Sequence, residues 1–196
     1  MKITDYEVLT LPTGWRNLTY LRIETDEGIE GFGEAHIVGK THTVREYLRD
    51  IRRHIIGHDV FNIEQLYEKI TLLDFGAPGQ VAMTGLALVE MACWDCIGKK
   101  LKQPVYKLIG GAVRDKIPAY ANGWYTVERS PEEFYEAALR VVERGYKGMK
   151  FDPFGSGNME LTRAQHRLAM ELVEAVADAA GPDVQLFIEM HGRFSP

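Results

Sequence analysis

The chain has 196 residues, enough for one large domain or for a small domain and part of another. Its 23 basic residues against 28 acidic ones give a formal net charge of −5, which argues against nucleic acid or an anionic membrane surface as the main partner, because both need a basic footprint. A hydrophobic share of 45% beside 26% charged residues excludes the disordered and collagen-like classes and predicts a packed core.

Met1-Lys2-Ile3-Thr4-Asp5-Tyr6 runs straight into alternating, strand-like sequence instead of the apolar core of an export signal. No uninterrupted apolar stretch reaches the roughly 20 residues of a membrane span. The expectation is a cytoplasmic protein without a membrane partner. Residues 2–12 read as one strand, Leu18 to Thr25 as a second, and Asp26-Glu27-Gly28 as the turn into a third over Ile29 to Glu34, together an antiparallel meander. Gly28-x-x-Gly31-x-Gly33 has the spacings of the dinucleotide-binding fingerprint in reversed order and leads out of a hairpin, so a turn-and-bulge role is expected instead.

Three helical patterns follow. Val44, Tyr47, Leu48, Ile51 and Ile55 share one face, with Gly57 as C-cap. Asn62 and Gln65 have capping-box spacing at the start of a helix carrying Ile63, Leu66, Ile70 and Leu73. Residues 83–97 are apolar on nearly all sides, which predicts the buried helix. Cys93 and Cys96 lie inside it as a C-x-x-C; a redox pair or half a zinc site would fit the spacing, but no second cysteine pair exists, and buried structural thiols are expected.

Periodicity changes near residue 116, giving domains of 1–116 and 117–196. Ile117 to Asn122, Gly148 to Asp152 and Val184 to Glu189 read as strands. Between them lie a helix opened by Ser130 as N-cap and Pro131 at N1, ending at Gly145, and another opened by Thr162 with Gln165, ending at Gly181-Pro182. Strands alternating with such helices predict a three-stranded parallel sheet. Two helices leave that sheet poorly covered, which suggests a piece of a longer protein or a partner that completes it.

Strand alternation puts Lys150 and Asp152 on one face, with Met149 and Phe151 on the other, and puts Glu189 beside His191. One such pair is commonly a structural salt bridge. Two pairs at the carboxyl ends of successive parallel strands, where α/β folds place active sites, point to chemistry. Glu189 suits a hard cation such as Mg²⁺, and His191 suits proton transfer near neutral pH.

Several segments, in order, resemble the enolase superfamily, specifically the mandelate racemase and muconate lactonizing enzyme family. Thr25-Asp26-Glu27-Gly28 with Gly31-Phe32-Gly33-Glu34 is similar to its capping-domain hairpin, Ala92-Cys93-Trp94-Asp95-Cys96-Ile97-Gly98-Lys99 to its helical signature, and Leu108-Ile109-Gly110-Gly111 with Arg114-Asp115 to its approach to the barrel. Tyr120-Ala121-Asn122-Gly123-Trp124-Tyr125, Lys150-Phe151-Asp152-Pro153-Phe154-Gly155 and Glu189-Met190-His191-Gly192-Arg193-Phe194 are most similar to its acid-sugar dehydratases of the gluconate and galactonate type.

The resemblance implies an α+β capping domain, an antiparallel meander plus helices, followed by the first three βα strands of a truncated (β/α)8 TIM barrel, since a full barrel needs about 250 residues. It implies a lyase: Mg²⁺-dependent abstraction of the proton next to a carboxylate of an aldonate, then loss of the β-hydroxyl to give a 2-keto-3-deoxy acid, with the 196-residue chain alone inactive. By position, Glu189 matches a Mg²⁺ ligand, His191 the acid that protonates the departing hydroxyl, and Lys150 the lysine that contacts the substrate carboxylate. Asp152 stands where racemases of the family carry a second lysine as base; an ordinary carboxylate is a weak base for this proton, which disfavours racemisation. Trp15, Arg16 and Asn17 fall at the cap's specificity loop, or form an exposed hairpin loop, and Tyr125 is a further substrate-binding candidate. The small-molecule partner is a sugar acid, and the family suggests a homo-oligomer. Two alternatives stay open: a sugar-acid epimerase or racemase of the same family, and a non-catalytic assembly module if 196 residues are the mature product.

Overall fold

The computed structural model describes residues 1–73 and 75–195, which divide into two compact units, Met1–Val113 and Arg114–Pro196. In the first, β1 (Ile3–Pro12), β2 (Asn17–Thr25) and β3 (Glu30–Ala35) form the antiparallel sheet β1-β2-β3, with Val8 opposite Leu21 and Leu21 opposite Gly33. Alternation puts Thr19, Leu21, Ile23 and Thr25 of the central strand inside. α1 (Thr41–Asp50), α2 (Arg52–Ile55), α3 (Ile63–Thr71), α4 (Gln80–Leu101) and α5 (Val105–Leu108) follow, and Leu21, Ile23, Val44, Leu48, Ile55, Leu66, Ile70 and Leu88 close one core.

Gly31 and Gly33 correct the turn-and-bulge expectation. They sit in a regular stretch of β3, and only Gly28, with φ +72°, serves the turn. A Cβ on Gly31 would lie 2.1 Å from the Ala92 carbonyl oxygen and one on Gly33 would lie 2.3 Å from that of Leu88, so the glycines let β3 press directly on the backbone of α4. At the free edge of β3, Asp95 Oδ2 accepts from Phe32 N–H at 2.9 Å and Lys99 Nζ donates to Glu30 O at 2.8 Å, while Asp95 and Lys99 pair with each other at 2.8 Å. This i,i+4 pair occupies backbone groups that a further strand would otherwise use.

α4 is 22 residues long and, by length and composition, long and apolar enough to cross a membrane, which corrects the expectation that no stretch reaches that criterion. Here it is the core helix, with Leu88, Val89, Ala92, Cys93 and Cys96 buried among the other elements. Both thiols are free, as expected, and burial pushes them up to about 12 for Cys93 and about 11 for Cys96.

Other local expectations need correcting. The single helix foreseen over Val44 to Ile55 breaks at Ile51, where His54 N–H bonds Ile51 O at 2.8 Å in a tighter i+3 turn, and Ile51 and Ile55 both still reach the core. Ile56, in extended conformation, caps α2; Gly57, at φ +80°, instead sends its N–H to Ile3 O. Asn62 sits at the N-cap of α3 without a side-chain capping bond, because its φ of −95° and ψ of 51° leave the extended region that capping geometry needs. Leu73 lies beyond the last turn of α3 and is exposed.

The second unit contains α6 (Pro131–Glu143), β4 (Gly148–Phe151), α7 (Arg163–Ala180) and β5 (Gln185–Ile188). Both caps form: Ser130 accepts from Glu133 N–H, and Thr162 and Gln165 make the reciprocal capping box. β4 and β5 pair in parallel, with Lys150 opposite Phe187. The third strand, foreseen over Ile117 to Asn122, is reduced to one parallel bridge, in which Ala121 N–H donates to Gly148 O and Lys150 N–H to Ala121 O, both at 2.9 Å. Pro118 brings no amide hydrogen and Gly123 turns away at φ +73°, so the ladder does not extend. Met149 and Phe151 face Phe134, Val141, Leu172 and Val176 in the core under α6 and α7, as alternation requires.

Candidate active site

The apolar faces of α6 and α7 pack on the Met149 and Phe151 face of β4, which leaves Lys150 on the opposite face. In parallel register, Lys150 is level with Phe187 of β5, and the ladder continues one step further through Glu189 N–H to Phe151 O at 2.9 Å. Glu189 lies two residues beyond Phe187 and so shares the face of Lys150. The two side chains meet at 2.5 Å, Nζ to Oε2, each about one-fifth exposed. The Lys150 ammonium, and then the His191 N–H, hold the Glu189 carboxyl down at about 2; the same bond raises Lys150 above its usual value.

His191 joins them through its backbone, its N–H donating to Glu189 Oε1 at 3.0 Å, with its ring Nδ1 3.5 Å from the same oxygen. Its φ of +51° lies in the left-handed region, which a side chain other than glycine enters at a steric disadvantage, and Gly192 follows at +62°. The ring is 63% exposed.

Asp152 is not part of this cluster. Its Oδ2 accepts from Arg193 Nη2 at 2.6 Å and its Oδ1 from Phe154 N–H at 2.9 Å, so the four ionisable groups expected together become a triad of Lys150, Glu189 and His191 beside a separate Asp152–Arg193 pair. The reason is reach: Pro153 turns the chain immediately after Asp152, which points its carboxylate at the loop. Tyr125 sits near both groups. Burial raises its hydroxyl above the ordinary value, the Asp152 carboxylate adds to the rise, and Lys150 opposes it.

Three residues to which the sequence alone assigns no role support the site. Trp124 Nε1 donates to Lys150 O at 3.0 Å and its ring packs on Phe151, fixing the strand that carries the lysine. Arg129 donates to the carbonyls of Asp152 and Pro153. Arg193 binds Asp152. The available signal was the Asp152-Pro153 turn, whose carbonyls and carboxylate need donors that a strand ladder does not provide.

In the first unit, Trp15 and Arg16 lie in the tight β1–β2 connection, closed by Thr13 N–H to Arg16 O at 2.9 Å, and Asn17 opens β2 opposite Pro12. Trp15 is 71% exposed, the Arg16 guanidinium stacks 3.9 Å over its ring, and Arg16 Nη1 meets His36 Nε2 at 2.9 Å. With Gly39, Thr41 and His42 they border a cleft of about 360 Å³. An apolar cleft of about 700 Å³ is lined by Phe61, Trp94, Leu101 and Leu108 among others, and among the described residues its one ionisable lining residue is Glu64.

As a cation site the triad is incomplete: among the described residues no group of three His, Cys, Asp or Glu side chains is gathered to hold a metal ion. Glu189 offers one hard oxygen ligand, suited to a Mg²⁺ shell that draws its other oxygens from elsewhere.

Residues 12–110 match the model of the mandelate racemase/muconate lactonizing enzyme N-terminal domain. The chain is 38% identical over 183 residues to a D-gluconate dehydratase of Thermoproteus tenax, covering 92% of this chain and 37% of that one. It is 34% identical over 200 residues to a D-galactonate dehydratase of Klebsiella pneumoniae, covering 100% and 50%. It superposes on a crystal structure from Mesorhizobium loti with a TM-score of 0.93 at 36% identity, covering 99% of this chain and 54% of that one. On a mandelate racemase/muconate lactonizing enzyme from Sulfitobacter sp. the TM-score is 0.86 at 30% identity, covering 100% and 54%. The chain thus spans between 37% and 54% of the length of these relatives. With its first half matching the family's N-terminal domain and its whole length superposing on solved relatives, the chain belongs to the mandelate racemase/muconate lactonizing enzyme family of the enolase superfamily.

Proposed function

We propose that this chain supplies the cap and the first strands of a (β/α)8 barrel in an acid-sugar dehydratase, a lyase that converts an aldonate such as gluconate or galactonate to a 2-keto-3-deoxy acid. The observation that carries the reading is the triad of Lys150, Glu189 and His191 at the carboxyl ends of two parallel strands, in a chain whose curated relatives include D-gluconate and D-galactonate dehydratases.

Lys150, charged across the physiological range, binds the substrate carboxylate and offsets the negative charge that builds on it when a base elsewhere in the enzyme takes the proton from the adjacent carbon. Glu189 stays ionised and would ligate Mg²⁺; when bound, the cation supplies further charge to the enediolate. His191, exposed and hinged on Glu189, gives its ring proton to the β-hydroxyl, so that the C–O bond breaks with water as leaving group and the electron pair of the enediolate forms the new double bond. Both oxygens of Asp152 are committed to Arg193 and Phe154, which argues against the racemase alternative with a base at that position. Trp15, Arg16, Asn17 and Tyr125 are the candidates for reading the sugar hydroxyls.

The test uses the native gene product. Its intact mass is expected near twice 22.2 kDa. With MgCl2 and D-gluconate or D-galactonate it should release a 2-keto-3-deoxy acid, and His191→Ala should abolish that release while the 196-residue chain gives none. Full turnover by His191→Ala overturns the assignment of His191. Exchange of the α-proton with solvent deuterium without dehydration points to the epimerase, and a native mass of 22.2 kDa with a monodisperse, cooperatively folding chain points to the assembly module.

A further inference from the structure

We infer that Arg193 is the positioning residue of this site, locking the His191 turn to the loop after β4 by sequestering Asp152. This rests on the reading in which His191 donates the proton.

Asp152 stands two residues after Lys150, where Pro153 turns its carboxylate toward the loop. Arg193 meets that carboxylate there. Its Nη2 binds Asp152 Oδ2 at 2.6 Å, and Phe154 N–H bonds Oδ1 at 2.9 Å, so both carboxylate oxygens are held by the segments that Arg193 joins. The pair is shielded, with side-chain exposures of 21% for Arg193 and 17% for Asp152, so it is less screened than an ordinary surface pair.

The rest of the guanidinium reaches three carbonyls. Nη1 donates to Gly155 O at 2.9 Å and Gly157 O at 3.1 Å, and Nε to Met190 O at 3.2 Å. The first two belong to the loop after β4, and the third opens the turn that carries His191. That turn is Met190 to Arg193, closed by Arg193 N–H on Met190 O at 3.1 Å, with positive φ at His191 and Gly192 as a type I′ turn requires. Arg193 therefore closes the turn twice, through its backbone and through its side chain. Met159 N–H on Arg193 O at 2.9 Å and the Phe154–Phe194 ring contact at 4.8 Å tie the same two segments.

A histidine in left-handed backbone keeps that conformation only where its surroundings over-determine it, and the fork supplies the constraint. Four of its five N–H donors are used on the chain, so Arg193 acts on His191 through the turn and the loop that it joins. Lysine carries the charge but lacks the planar fork that spans a carboxylate and three carbonyls.

In the native full-length protein, Arg193→Lys should lower kcat for D-gluconate or D-galactonate by about 100-fold, the scale of a 1 Å misplacement, and leave KM within about twofold because Lys150 and Glu189 are untouched. Lys150→Met should instead raise KM. In the 196-residue chain, Arg193→Lys should move the His191 HN–Hα coupling from its left-handed value to an average while β4 and β5 amides keep their hydrogen-exchange protection. Unchanged kcat, or a fall in kcat matched by loss of β4 and β5 protection, overturns the inference. If the wild type turns over no aldonate, the dehydratase reading fails, and an unmoved His191 coupling then overturns the positioning role independently.

Discussion

Replacing Gly33 with alanine would test whether β3 is pressed onto α4 by backbone contact. The added methyl would start 2.3 Å from the Leu88 carbonyl oxygen and 3.1 Å from the Leu88 carbonyl carbon, both main-chain atoms of a 22-residue helix, so no flexible side chain can turn aside. Ordinary contact begins near 3.4 Å, and strand and helix must therefore separate by about 1 Å, opening the layer that holds Leu21 and Ile23. Overpacking of this kind costs about 1–3 kcal/mol, and a backbone clash belongs at the upper end. Gly28→Ala is the control. Its methyl would meet nothing within 4 Å, and its cost is the left-handed backbone at φ +72°, about 1–2 kcal/mol. Native-state hydrogen exchange of the β2 and α4 amides reads this unit by itself, and urea unfolding should show a midpoint lower by roughly 1–3 M for Gly33→Ala, given slopes of about 1–3 kcal/mol per M. If Gly33→Ala proves as stable as Gly28→Ala, the close-approach argument is wrong.

Asp95→Ala should free the Phe32 amide at the edge of β3; its effect on stability should stay within about 1 kcal/mol because the Asp95–Lys99 pair is partly exposed, but light scattering should show concentration-dependent self-association, and a strictly monomeric variant would count against the edge role. The Glu189 carboxyl, depressed from 4.5 to about 2, contributes stability that is complete above pH 4.5 and fades as pH falls toward 2; a carboxyl NMR titration of the 196-residue chain should find a midpoint near 2 that rises in Lys150→Met, and a wild-type midpoint at 4 would refute the pairing. Cys93 and Cys96, raised from 9.0 to about 12 and 11, should resist a thiol reagent at pH 8 until the chain unfolds. Because the fold penalises their ionised forms, stability should fall as pH rises above 9, and rapid labelling of the native chain would disprove their burial.

Period-2 alternation fixed which face of β2 and β4 is buried, and the Ser130 and Thr162 caps were legible because capping needs only residues three apart. Lys150 and Glu189 were also readable, since strand parity and parallel pairing leave them one shared face. Asn62 had the same spacing as Thr162 yet failed to cap, because its backbone dihedrals are set by the turn that precedes it. The reason Gly31 and Gly33 are glycine, the Asp95–Lys99 cover of the β3 edge, and the division of four expected site charges into a triad and an Asp152–Arg193 pair came only from the tertiary structure. Each depends on atoms 39 or more residues apart along the chain, such as Asp152 and Arg193, or Gly33 and Leu88, whose approach is decided by packing and not by local period.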